Sequence, residues 1–213
     1  MLASEIERKV LRLFGDSVTS HIMVQAQDIY DWINEAQLRI ARDTGCVTGS
    51  TSTAASTYPK ALPADWIVTK RVVYGITVLR LVDIEDLDAV NVNPALPVDT
   101  PCFYYMLGGQ IKLYPTLGAS DSTTVTFEYS KVPTLITAGA QTPEVPISYH
   151  EDLVRYCIMR AHELNENYKA MEMSSNIFEG NLGLRVEEAQ LQDDTFYVVR
   201  DDPSDTPDVY YVW

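Results

Sequence analysis

The stretch that most constrains this fold is QDIYDWINEAQLRIARDTG, from Gln27 to Gly45. Ile29, Trp32, Ile33, Ala36 and Ile40 recur at steps of three and four residues, so a helix aligns them along one face. Asp28 is placed to cap the N-terminus, and Asp31 lies in the first turn, where negative charge suits the helix dipole. Arg39 and Arg42 lie towards the C-terminal end, where positive charge is favoured, and Gly45 is a natural stop. Trp32 is the largest side chain on the face. Burying it requires other elements alongside, which predicts a bundle of helices.

The partners are legible near both ends of the chain. Ser4 to Phe14 reads as a short helix. Ser4-Glu5-Ile6-Glu7 fits a capping box, Ile6, Val10, Leu13 and Phe14 form the apolar face, and Gly15 ends it. Ser148 to Leu164 reads as a second long helix, opened by a capping box at Ser148 to Glu151. Its stripe is Leu153, Val154, Cys157, Ile158, Ala161 and Leu164. A further helix spans about Glu166 to Gln190, with Met171, Ile177 and Phe178 apolar, and Gly180 and Gly183 predict a break in it.

Between these helices the pattern changes to β. Cys46 to Thr57 is rich in Ser and Thr, which suits either a flexible loop or a polar edge strand. The reading adopted is a loop feeding a strand that ends near Tyr58. Tyr58 to Trp66 holds two prolines and marks a turn. Val68 to Val82 is rich in β-branched residues, with Gly75 marking a turn or bulge between two strands. Ile84 to Val90 reads as a short acidic helix, and Asn93 to Thr100 as a loop. Cys102 to Leu107 and Gln110 to Tyr114 flank Gly108-Gly109, a strong hairpin signal. Thr123 to Lys131 alternates Val125, Phe127 and Tyr129 with polar partners, as a half-buried strand does. Prolines at 133, 143 and 146 then punctuate a long loop.

The expected fold is therefore α+β: a helical bundle drawn from both chain ends, an inserted antiparallel β domain, and an extended C-terminal tail. The expected divisions are 1–48 for the N-terminal helices, 49–145 for the β domain, 146–192 for the C-terminal helices and 193–213 for the tail.

The charge balance narrows the function classes. Sixteen basic against thirty acidic residues leave a net charge of −14. Such a surface does not grip phosphate backbones, which needs clustered Lys and Arg. It does suit a surface that DNA slides past, where repulsion is useful. Cys46, Cys102 and Cys157 are far apart and read as reduced thiols, not a disulfide framework or a zinc site. No apolar run reaches membrane-spanning length, and the charged start MLASEIERKV is unlike a signal peptide, so the chain is expected to be made in the cytoplasm.

No catalytic, metal or cofactor site emerges from the motifs. There is no GxxxxGK[ST] and no GxGxxG, the loops that let backbone approach phosphate closely. Of His21, His150 and His162, the last two share a helix but lie about 18 Å apart at its rise per residue, too far to hold one metal. Each histidine is expected on a helix surface or in a loop. Gly118 to Ser122 begins like a nucleophile elbow and lacks its final glycine, so it reads as a turn. Asp83, Glu85, Asp86 and Asp88 lack the glycine a calcium loop needs, since Asp88 stands at that sixth position, and they read as a solvated helix face.

The C-terminus does ask for a partner. Asp201, Asp202, Asp205 and Asp208 alternate with Pro203 and Pro207, and Val209, Tyr210, Tyr211, Val212 and Trp213 close the chain. An apolar aromatic end on an extended acidic run either folds back on the β domain or docks on another chain by strand addition or aromatic anchoring.

Taken together, four segments resemble the head–tail adaptor proteins of tailed bacteriophages, the group that includes the podovirus tail tubular protein A. They are DWINEAQLRIARDTG (Asp31 to Gly45), YPKALPADWIVTKRVVYG (Tyr58 to Gly75), Pro101 to Ile136, and PISYHEDLVRYCIMRAHELNENYKAM (Pro146 to Met171). The resemblance implies a structural virion protein in the phage neck, with no enzymatic activity and no cofactor. It implies a homo-oligomeric ring, usually twelve-fold, below the portal protein. Such a ring extends the DNA channel, through which DNA passes without specific binding, and offers a platform to the tail nozzle or tail tube. No membrane is involved. The C-terminal segment Val209 to Trp213 is then the expected contact with the portal or the neighbouring subunit. Two rival readings are a tail-side nozzle or completion component and, from another class, a polysaccharide-degrading tail enzyme with a carboxylate pair in a cleft. A small binding module built on the tyrosine-rich β region is a third.

Overall fold

A computed structural model of the chain describes residues 1–15, 23–85, 87, 100–117 and 121–194. Among these residues the fold is mixed α+β, with four helices and a curled sheet of seven strands. The helices are α1 (Ala3–Phe14), α2 (Ala26–Thr44), α3 (His150–Leu164) and α4 (Tyr168–Asp194). The strands are β1 (Thr48–Ala54), β2 (Lys60–Ala61), β3 (Trp66–Tyr74), β4 (Thr77–Leu81), β5 (Phe103–Leu107), β6 (Gln110–Tyr114) and β7 (Thr124–Lys131).

The central helix forms as its periodicity predicts. Ile29, Trp32, Ile33, Ala36 and Ile40 are all buried, and Gly45 stops the helix at φ 62°, its N–H donating to the Ala41 carbonyl. The N-termini differ in detail. Gln25, not Asp28, precedes α2, and the Asp28 carboxylate reaches back to accept the Gln25 N–H at 3.0 Å. In α1 the Glu5 carboxylate accepts the Leu2 N–H at 2.8 Å, so Ser4 lies inside the helix and Glu7 is left to accept the Tyr30 hydroxyl. In both helices the acid at the third helical position does the capping. Ser148 does not cap α3 either, because a 3-10 turn at Ile147–Tyr149 leads into that helix.

Two expected core positions are exposed. Leu13 is 54% and Leu164 56% accessible, while Leu11 takes the buried place on α1. At 3.6 residues per turn, Leu13 lies about 200° round the helix from Leu11. The largest correction concerns α4, which is unbroken across Gly180 and Gly183 and extends to Asp194. Each glycine costs about 1 kcal/mol relative to alanine in a helix interior. Tertiary contacts outweigh that. Phe178 and Leu182 are buried, Asn181 donates to Asp152 at 2.9 Å, and Arg185 donates to the Ser148 carbonyl at 3.3 Å.

The sheet order is β1-β7-β3-β4-β5-β6-β2. Within Cys46 to Thr57, read as a loop feeding a strand that ends near Tyr58, residues 48 to 54 already pair along their length with β7, as the alternative of a polar edge strand has it. Gly49 fits there because a Cβ would come within 2.7 Å of the Tyr129 ring. The β3–β4 and β5–β6 hairpins turn at Gly75 and at Gly108-Gly109, all at positive φ. The expected all-antiparallel sheet is not found, since β4 and β5 run parallel through Arg80↔Phe103 and Leu81↔Tyr104. A parallel pair needs a crossover of a dozen or more residues, and the stretch between Leu81 and Phe103 supplies it.

Two hydrophobic clusters result. One joins all four helices through Ile6, Ile33, Leu153, Cys157 and Phe178. The other lies in the sheet around Val72, Tyr104, Ile111, Val125 and Phe127. The long loop after β7 is tied to the helices. Asn34 donates to the Ile136 carbonyl at 2.9 Å and accepts the Ile136 N–H at 2.7 Å. Buried Gln37 donates to the Thr134 carbonyl at 3.0 Å, and the backbone N–H groups of Ala3 and Ser4 donate to Gln141 and Gly139.

Candidate functional site

Among the described residues, His150, His162, Cys46 and Cys157 are packed into the fold. His150 is buried, against the expectation of a surface or loop position. Its Nδ1 accepts the Met1 ammonium at 2.7 Å, and its Nε2 lies 3.1 Å from the Val145 carbonyl, the pattern of a neutral imidazole. Burial, helped by the neighbouring ammonium, holds its pKa below the ordinary value against the opposing effect of the Val145 carbonyl. His162 lies against the Phe14 ring at 5.4 Å. Full burial pushes the Cys157 thiol far up, and burial also raises Cys46, so neither is an activated nucleophile. His21, Asp86, Asp88 and residues 118–120 lie outside the described residues. Among the described residues no group of His, Cys, Asp or Glu could hold a metal ion.

A cleft of about 380 Å³ opens on the sheet beside Tyr58, Pro59, Tyr105 and Lys112. Its lining contains no carboxylate and no histidine. Among the described lining residues, Ser56 therefore has neither a histidine nor a carboxylate beside it, and glycosidic chemistry lacks its acid pair there. The Asp121 carboxylate accepts the Tyr74 hydroxyl at 2.6 Å and the Thr123 N–H at 2.8 Å, and these bonds, the hydroxyl's first, hold its pKa low. That pairing fixes the approach to β7; it presents no proton for transfer.

What the described surface offers instead is apolar contact area. Helix α4 is apolar on two sides. Phe178 and Leu182 face the core, while Met173, Ile177 and Leu184, 62%, 45% and 61% accessible, line the opposite side. The β3–β4 turn exposes Ile76 almost completely, with Val78 half exposed beside it. A single apolar stripe predicts only one buried face for α4, so these surfaces go unseen in the sequence. The signal was present, since Met173, Ile177, Gly180 and Leu184 follow a 4-3-4 spacing. The partner-contact residues expected from the sequence, Val209, Tyr210, Tyr211, Val212 and Trp213, lie outside the described residues.

No described helix is long and apolar enough to cross a membrane. No curated protein matches the chain. A family model described as SU10 adaptor protein matches residues 1–204, which takes in both hydrophobic clusters and all four helices. The match spans nearly the whole chain. The chain therefore belongs to the SU10 adaptor protein family, which makes it a structural phage adaptor and a component of the virion.

Proposed function

We propose that this adaptor forms a ring directly below the portal, extends the DNA channel and provides the platform on which the tail nozzle or tail tube assembles. The observation that carries the reading is the family match over residues 1–204. The charge supports it. A net charge of −14 on each copy, repeated round a ring, repels a DNA backbone and lets it pass without sticking.

The division of labour follows the expected boundaries. Residues 1–48 and 146–192 act as one helical bundle closed by both chain ends, and their shared hydrophobic cluster supports that role. Residues 49–145 form the inserted β unit that meets the tail, with its own cluster and the exposed Ile76 turn. Residues 193–213, of which the first two still belong to α4, act as the tail segment, and Val209, Tyr210, Tyr211, Val212 and Trp213 anchor it on the portal or the neighbouring subunit.

Mass photometry of this protein mixed with the portal encoded in the same genome tests the reading. The expected product is a portal complex carrying a ring's worth of copies, weakened by deleting residues 201 to 213 while the isolated chain keeps its fold. No complex at micromolar concentration overturns the portal placement. Complex formation unchanged by the deletion overturns the role of the tail.

A further inference from the structure

The sheet ends in two edges that are not alike. The β2 edge is two residues long. The β1 edge runs over Thr48–Ala54 in unbroken register with β7, without a bulge. The Val47 carbonyl accepts from Lys131 and the Ala55 N–H donates to Thr123, so the odd-numbered residues of β1 turn their backbone groups to β7. Thr48, Ser50, Ser52 and Ala54 turn theirs outward. The Thr57 hydroxyl donates to the Ala54 carbonyl, and among the described residues no backbone bond meets the other three. The strand has no lysine, proline or other charge, the devices that shield an edge. One face of the edge is also unfinished. Val125, Phe127 and Tyr129 of β7 are buried, whereas their partners in register, Thr53, Thr51 and Gly49, are small and only half-buried.

A segment able to complete this edge leaves the helices close to it. Helix α4 runs parallel to α2. Phe178 and Glu179 meet Arg39, and farther on Arg185 lies over the Tyr149 ring, which sits beside Thr44 and Cys46. The stretch from Arg185 to Asp194 carries α4 about 14 Å onward. That takes it past Gly45, where α2 ends beside Lys70 of β3 and Ser130 of β7 and the chain enters β1. Residues 195–208 then precede Val209, and their reach of up to about 46 Å exceeds the roughly 23 Å length of β1. Val209-Tyr210-Tyr211-Val212-Trp213 is β-branched and aromatic throughout, as strands are, and alternation sets Val209, Tyr211 and Trp213 on one face. We infer that in the free chain Val209–Trp213 adds to the β1 edge of its own sheet as a further strand, with Val209, Tyr211 and Trp213 continuing the apolar face of β7. The tether favours this occupant. A linker of such length holds the segment at an effective concentration on the order of 1 mM, and two copies at −14 each repel one another. At micromolar concentration a chain's own segment therefore wins over that of another copy. The pairing covers an open edge and an aromatic end, each prone to aggregate. It belongs to the chain before assembly and does not rest on where the adaptor sits in the neck; the proposed portal contact takes the segment over from the edge.

Hydrogen exchange resolved to single amides by NMR tests this on the isolated chain, full length against a deletion of residues 209 to 213. The full chain is expected to protect at least two of the outward amides of Thr48, Ser50 and Ser52, equally at two protein concentrations. The deletion is expected to speed their exchange by about tenfold or more, while the amides of Gly49, Thr51 and Thr53, turned to β7, keep their rates. Outward amides that exchange alike in both chains, whether fast or slow, overturn the strand addition. Protection that grows with concentration overturns the chain's own segment as the occupant and gives the edge to another copy. Ser50→Pro supplies a second readout. It removes an outward donor and no bond to β7, a substitution that an edge strand tolerates. Chymotrypsin cleavage at Tyr210 and Tyr211 is expected to rise about tenfold in this variant and to stay unchanged in Ser50→Ala. Equal cleavage in Ser50→Pro and the parent chain overturns the inference. None of these readouts involves the portal, so failure here leaves the proposed neck placement standing, and failure of portal binding leaves this contact standing.

Discussion

Asn34→Ala is the substitution with the clearest expected cost. Asn34 makes a reciprocal pair with the backbone of Ile136, donating at 2.9 Å and accepting at 2.7 Å, and Ile136 is only 3% exposed. The pair pins the loop after β7 onto α2, across 102 positions of sequence. Alanine leaves the Ile136 N–H and C=O without their partner, and each unsatisfied buried group costs about 1–3 kcal/mol. Asn34 itself is only partly buried, so water recovers some of this, and the expected loss is about 2–4 kcal/mol. For a domain of this size, 1 kcal/mol lowers Tm by roughly 2–4 °C, so the melt should fall by about 5–15 °C. Asn34→Asp keeps the acceptor for the Ile136 N–H and loses the donor to its carbonyl, so it should cost about half as much. Urea titration with both variants measures this. A loss under about 0.5 kcal/mol for Asn34→Ala, the range of an ordinary surface substitution, refutes the pinning argument.

Gly49→Ala forces a Cβ to 2.7 Å from the Tyr129 ring and should cost about 1–3 kcal/mol in a denaturant titration, because a packed sheet yields little. Phe178 is fully buried and meets the Tyr156 ring edge-on at 5.2 Å, so Phe178→Ala should cost about 3–5 kcal/mol by calorimetry. Gly180→Ala adds a methyl to open space on a helix and should raise the melting temperature of the isolated chain, by up to about 1 kcal/mol in stability. His150 has its pKa lowered in the folded state, so folding resists its protonation. Its contribution is complete above its unfolded pKa of about 6.5 and is lost as pH falls below that value towards the folded pKa. Melts between pH 8 and 5.5 should show this loss, and His150→Asn should flatten the profile in that window.

Strongly periodic segments were the most legible. The α2 face, the Gly108-Gly109 hairpin and the alternation in β7 all lie where the pattern places them, because burial on one face imposes a repeat of 3.6 or 2. Caps were less legible, since Leu2 and Gln25 are not cap-type residues and it is the acid three positions on that satisfies the backbone. Helix α4 is unbroken where Gly180 and Gly183 predict a break, because the contacts of Phe178, Asn181 and Arg185 outweigh glycine propensity. Its outer row was hidden because apolar residues on two sides blur a one-faced pattern. The parallel β4–β5 pair depends on a crossover whose path no local pattern reveals. Gln37 did carry a signal. A glutamine inside the apolar stripe of α2 marks a polar side chain that the core must satisfy, and the loop carbonyl of Thr134 is what satisfies it.

The placement of this adaptor in the virion is tested most directly by cryo-electron microscopy of the phage neck. The account predicts density for the four helices and the seven-stranded sheet repeated in a closed ring between portal and tail, with acidic side chains facing the DNA channel. A neck in which that position is filled by another protein, with this fold located elsewhere on the particle or absent from it, contradicts the account.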